Sequence, residues 1–152
     1  MSVTESSRRW PPHFSLAELT VSETAERQGI DNTPPPAIVE KLRFTAHAME
    51  SVRDLLGVPV VVLSGYRSPE LNRAVGGSAN SQHMRGEACD FIASRYGPPL
   101  AICRAIVDSD LPFDQLIFEG GWVHISFVAD RKPRGEVLTW KRGQGYSIGI
   151  NP

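Results

Sequence analysis

Two cysteines in 152 residues are too few for a disulfide framework. Cys89 and Cys103 also lack the C-x-x-C spacing of a structural zinc site, so both read as small buried residues. An excess of one charge is missing as well. The formal net charge is −1, which gives no basic field for nucleic acid or an anionic membrane. Long apolar runs are absent: "VPVVVL" at 58–63 is far too short to cross a bilayer, so no membrane insertion is expected. The opening "MSVTESSRRWPPHFS" has no apolar segment of about 7–15 residues, the core of a secretory signal. Synthesis in the cytoplasm without a signal peptide is expected, and any action outside would need another agent of release. Repeats and low-complexity segments are absent too. What remains is 41% apolar and 22% charged residues, an ordinary globular mix for one domain over 1–152, expected to be a monomer.

The segment "NTPPP" at 32–36 separates an N-terminal arm, 1–35, from the first long helix. In the arm, "SLAE" at 15–18 fits a capping box and "SETAERQG" at 22–29 a short helix ended by Gly29. From Pro36 to Leu56 the apolar positions Ile38, Leu42, Ala46, Met49, Val52 and Leu56 step by three or four, one helical face. "VPVVVLSGYRS" at 58–68 changes period and predicts a buried strand between Gly57 and Gly65. Ser68 can cap a brief helix, "PELNRAV", and "GGSANSQ" at 76–82 reads as a loop. "EACDFIAS" at 87–94 alternates as a strand, and "PPLAICRAIVDS" at 98–109 reads as a helix. "FDQLIFEGGWVHISF" at 113–127 predicts a hairpin turning at Gly120-Gly121. In the tail, 128–152, "GEVLTW" at 135–140 is expected to add an edge strand. Together these predict an α+β fold, with helices on one side of a small, mostly antiparallel sheet.

Four histidines are present. His13 and His47 stand alone and suit structural or surface roles. His83 lies seven residues before Asp90 in "SQHMRGEACD". An imidazole and a carboxylate are both good zinc ligands. The spacing alone also fits a capped loop followed by a solvated aspartate. Against that, Asp90 sits in "ACDFIA", an apolar setting where an unpaired carboxylate is costly. In the expected hairpin Ile117 pairs with His124, so Glu119, Trp122, Ile117 and His124 share a face. Glu119 and His124 become diagonal neighbours, although a one-residue slip would reverse this. Considered by itself, the hairpin also fits an exposed tip with a solvated Glu119. Three ligands, His83, Asp90 and His124, would leave a fourth position open, the pattern of a catalytic zinc site. Glu119 would then serve as acid and base, and Arg67 in "SGYRS" could pair with a substrate carboxylate.

These residues resemble the zinc D-Ala-D-Ala carboxypeptidase family of metallopeptidases, which includes phage L-alanyl-D-glutamate endolysins and D-Ala-D-Ala dipeptidases. The family signature S-x-H-x-x-G-x-A-x-D appears as Ser81, His83, Gly86, Ala88 and Asp90. "SGYRS" at 64–68 resembles its arginine strand and "WVHIS" at 122–126 the segment with its last zinc histidine. The opening from His13 is similar to the arm of the small phage-type members, so the likeness spans most of 13–127.

The resemblance implies Zn2+ on His83, Asp90 and His124. It implies Arg67 in substrate binding or transition-state stabilisation, and Ser81 as a hydrogen-bonding support to the site. Ser81 and Trp122 are further candidate substrate contacts. Many members place the acid/base three residues before the last histidine, where this chain has Gly121. Glu119 is the nearest acid, and Asp114 a weaker substitute. The implied activity is cleavage of peptidoglycan stem peptides, at D-Ala-D-Ala or L-Ala-D-Glu, as in a phage or prophage endolysin. The alternative is a non-catalytic zinc module that binds cell wall or serves in a phage particle. "RKPRGE" at 131–136 fits a solvated turn, or a contact to anionic wall polymers.

Overall fold

Ser22 and Gly29 bracket the first helix, α1 (Glu23–Gln28). The Ser22 hydroxyl accepts the Ala25 N–H, and Gly29 ends the helix in the left-handed region. The computed structural model describes residues 9–152. α2 (Pro36–Leu56) begins on proline, ends at Gly57, and buries Leu42, Ala46, Met49, Val52 and Leu56 along the expected face. Ser68 caps α3 (Pro69–Ala74), a 3-10 turn covers Gln82–Arg85, and α4 (Pro99–Val107) opens on its prolines. The strands are β1 (Val61–Ser64), β2 (Ala88–Ile92), β3 (Gln115–Phe118), β4 (Val123–Ser126), β5 (Glu136–Lys141) and β6 (Gly145–Ile148).

The six strands form one sheet in the order β1-β2-β4-β3-β5-β6. Every pair is antiparallel except β3 with β5. The fold is α+β. Alternation along each strand sends successive side chains to opposite faces. Cys89, Phe91, Leu116, Val123 and Ile125 meet α2 and α4 in one core, joined by Ile102, Cys103 and Ile106. Asp90 and His124 therefore point to the other face. Burial raises the thiol pKa of both cysteines, which keeps them inert.

Three expectations are corrected. β1 is an edge strand with Val61 53% and Leu63 50% exposed, not a buried one. Helices cover only one of its faces, which a continuous apolar run does not reveal. The "GEVLTW" strand, β5, is internal, because β6 pairs beyond it. Ser15 makes the expected contact with the Glu18 N–H, but it closes a turn rather than a helix. The described part of the arm is also more than an appendage, since Phe14 and Leu19 are core residues. His13 pairs with Glu50 and His47 contacts the Arg9 carbonyl, so both fasten the arm to α2.

The basic segment after β4 is committed internally. Asp114, fully buried, accepts hydrogen bonds from Arg131 and Arg134 at 2.7 Å each, and one from Gln82 at 3.0 Å. Asp114 thus has no free oxygen for acid/base work. Burial alone would favour its neutral form. The arginine hydrogen bonds overcome that and hold its carboxyl far below the usual carboxylate range.

Removing one partner of a buried pair typically costs about 3 kcal/mol or more. Asp114→Ala is expected to lower unfolding free energy by about that amount in a urea melt. Because the folded-state pKa is depressed, this contribution is present above the unfolded value of about 4 and is lost as pH falls below it. Melts between pH 7 and pH 3 should therefore steepen for the wild type and flatten for the variant. Parallel curves would remove Asp114 from this role.

Candidate metal centre

His83 is presented by the 3-10 turn, Asp90 by β2 and His124 by β4. The turn depends on its two ends. The Ser81 hydroxyl accepts the His83 backbone N–H at 3.2 Å. Gly86 then closes the turn at φ 72°, and a Cβ there would lie 3.0 Å from Ile38. Only glycine combines that backbone with so close an approach to α2. Thr45 secures it by donating to the Gly86 carbonyl at 2.7 Å. This is the physical content of the serine and glycine in the signature.

Strand pairing sets the rest. Ile117 lies opposite His124, as the hairpin argument expected, and on the other side of β4 Asp90 lies opposite His124. One ligand atom from each of His83, Asp90 and His124 lies within 4.8 Å of the others, and all three residues are buried. The imidazole rings stand 5.1 Å apart, edge to face. His83 Nδ1 is 2.7 Å from the Gly65 carbonyl oxygen, which can only accept. Nδ1 therefore donates to that carbonyl, which leaves Nε2 as the ring nitrogen directed toward Asp90 Oδ1 at 3.3 Å. His124 Nδ1 approaches the same oxygen at 2.9 Å. Burial would favour protonated Asp90. The attraction and hydrogen bonds of His83 and His124 reverse that and hold the carboxyl well below its usual range. Two imidazoles and an ionised carboxylate converging on one point, one imidazole oriented from behind by a carbonyl, fit a divalent ion such as zinc.

The Peptidase M15 family model matches residues 12–126. The chain belongs to that family, the M15 zinc D-Ala-D-Ala carboxypeptidase-like group. M15 membership supports a zinc-dependent hydrolase acting on a peptide substrate. No curated protein matches the chain.

The remaining candidates stand around this cluster of donors. The site face of the sheet and the 75–82 segment line an open groove of about 800 Å³ that contains Arg67, Ser81, His83, Asp90, Glu119, Trp122 and His124. A smaller apolar hollow of about 300 Å³ beside Phe44 and Phe127 holds none of these groups. Arg67 is no surface ion pair. Its guanidinium reaches Asp90 at 3.5 Å, Asn72 Oδ1 at 3.2 Å and Ser64 Oγ at 3.4 Å. Burial, then the Asp90 charge, raises the Glu119 carboxyl above the usual glutamate range, while His124, Trp122 and Arg67 pull it back. The Trp122 indole N–H is buried without a partner at full bonding distance, yet it lies near enough to favour the Glu119 carboxylate. Among the described residues, no helix is long and apolar enough to cross a membrane.

Sequence reasoning missed Asn72, Gly77 and Asn32. Asn72 is buried between Arg67 and the Ser78 carbonyl. Asn32, in the "NTPPP" segment, accepts from the Ser68 N–H and donates to the Thr20 and Tyr66 carbonyls, clasping the arm to the arginine strand. Polar residues in a short helix and a breaker carry no local mark of such long-range roles.

The chain is expected to bind one zinc per molecule in a chelator competition. At free zinc about 100 times Kd, binding should raise stability by about 2.7 kcal/mol. His83→Ala or His124→Ala should weaken affinity by more than the roughly 10–100-fold typical of losing an outer-shell partner. Affinity unchanged in both variants would exclude this centre.

Proposed function

We propose that the chain is a zinc peptidase that cuts peptidoglycan stem peptides, at a D-Ala-D-Ala or L-Ala-D-Glu bond. Its role would be that of a phage or prophage endolysin released by a separate pore-forming protein. One observation carries the peptidase reading: the His83, Asp90 and His124 donors meet in an open groove beside Glu119 and Arg67. The choice of peptidoglycan rests on the signature from Ser81 to Asp90 and on the arginine strand.

Zinc, when bound, supplies a Lewis acid that lowers a water's pKa toward about 7 and polarises a carbonyl. Glu119 accepts the proton of the attacking water and returns it to the departing amine. Burial suits it to this work, since a carboxyl raised toward the working pH both takes and gives a proton readily. Arg67 offers a planar fork to a substrate carboxylate, with Asn72 and Ser64 fixing the fork's direction. The one-residue slip that would have turned Glu119 away does not occur, since Phe118 pairs with Val123.

A muropeptide digest by zinc-loaded protein, read by mass spectrometry, is expected to show one new amine terminus and to name the bond. Glu119→Gln should keep its zinc and lose about 10²–10⁴-fold in kcat. No cleavage by the zinc-loaded wild type would favour a non-catalytic wall-binding module. Full turnover in Glu119→Gln would move the acid/base role elsewhere.

The Arg67 role has its own test. A Cβ at Gly77 would lie 2.1 Å from Asn72 Oδ1 and 2.8 Å from Arg67 Nη1. Gly77→Ala should therefore displace the fork and raise KM roughly tenfold, the scale of one charge-assisted hydrogen bond. Its zinc content should stay constant. An unchanged KM would remove Arg67 from substrate binding.

A further inference from the structure

The groove does not end at Glu119. Side chains two apart on a strand share a face, so Glu119 continues the site face of β3 beyond Ile117. Ile117 pairs with Leu138 of β5, and Trp140 lies two residues further along the same face. Trp140 in turn pairs with Tyr146 of β6. Leu138, Trp140 and Tyr146 all line the groove that holds the metal ligands. Tyr146 is 59% exposed, so its ring is not sealed against other parts of the protein. Its phenol pKa is raised by partial burial and by the Glu119 and Asp90 charges, which places the hydroxyl within their field. These residues lie beyond the segment that the M15 family matches, 12–126.

Strand order gives the groove a direction. Arg67 follows β1 at one end, Asp90 and His124 occupy β2 and β4, Glu119 comes just after β3, and the two aromatic rings come last on β5 and β6. With strands about 4.8 Å apart, the rings stand roughly 10–14 Å from the His124 strand. That is about three or four residues of extended chain. A substrate whose carboxylate is held by Arg67 would present its other end to Trp140 and Tyr146.

We propose that Trp140 and Tyr146 form a subsite for the amino-sugar end of a glycan-linked peptide, which makes the sugar-bearing muropeptide, not the free peptide, the preferred substrate. This rests on the peptidase reading above. Stem peptides carry short or charged side chains that offer little apolar surface to two aromatic rings. A pyranose ring offers a face of C–H groups, and an N-acetyl group adds a methyl. Aromatic residues supply apolar area together with a polar handle, here the Tyr146 hydroxyl and the Trp140 indole N–H, for sugar hydroxyls.

The test compares an N-acetylmuramoyl peptide with the same peptide lacking the sugar, using zinc-loaded protein. The wild type should favour the sugar-bearing substrate in kcat/KM by roughly three- to tenfold, the scale of a stacked ring. Trp140→Ala and Tyr146→Ala should bring the ratio toward one by raising KM for the sugar-bearing substrate alone. Trp140→Phe should retain much of the preference, which guards against a variant that fails to fold. Equal use of both substrates by the wild type, or equal losses on both in the variants, would overturn the subsite and leave the peptidase reading standing. Failure to cut either substrate would overturn both.

Discussion

A carboxylate and two imidazoles occupy one small buried volume, and each turns a potential metal-binding atom toward the others. Such a cluster is costly to bury unless its polar groups find partners. The rest of the fold makes the cluster unavoidable. The Gly65 carbonyl selects the His83 tautomer, the Gly86 turn presents the ring, and the β2–β4 register sets Asp90 against His124. A divalent ion at this point would turn the cluster into a coordination set. The same ion would link the 3-10 turn, β2 and β4.

Around that point the groups are ordered by strand position. The guanidinium of Arg67 lies at the β1 end, the donors occupy the middle, the carboxylate of Glu119 follows, and aromatic rings close the far end. Because the sheet is twisted and its site face is open, this order becomes a linear groove. Charge of both signs lies within it, and each charged group adjusts its neighbours: Asp90 raises Glu119, while Arg67 and His124 lower it. The helices contribute by filling the opposite face, which leaves the site face to chemistry. The Asp114 cluster contributes by pinning the segment that leads from β4 into β5.

Much of this was legible in local patterns. Apolar steps of three and four marked α2, and alternation in "EACDFIAS" separated Asp90 from the core residues Cys89 and Phe91. The Gly-Gly turn predicted the β3–β4 register, and hence the shared face of Glu119 and His124. The signature brought His83 and Asp90 together, since its spacing reflects a single turn and the strand that follows it, and "WVHIS" added His124. The exposure of β1 was not legible, because an apolar run does not say how many of its faces are covered. Nor was the inner place of β5, which depends on a sixth strand pairing outside it.

The sequence by itself determined the ligand types, the local turn that carries His83, the hairpin register and the α+β class. Those features arise from residues within a few positions of one another, where backbone preference and periodicity act directly. Tertiary structure alone decided that β2 sets Asp90 against His124, that Asn72 and Asn32 brace the arginine strand, and that Trp140 and Tyr146 extend the groove. These depend on which strands become neighbours, and strand order follows from packing of the whole sheet against its helices rather than from any short stretch of chain.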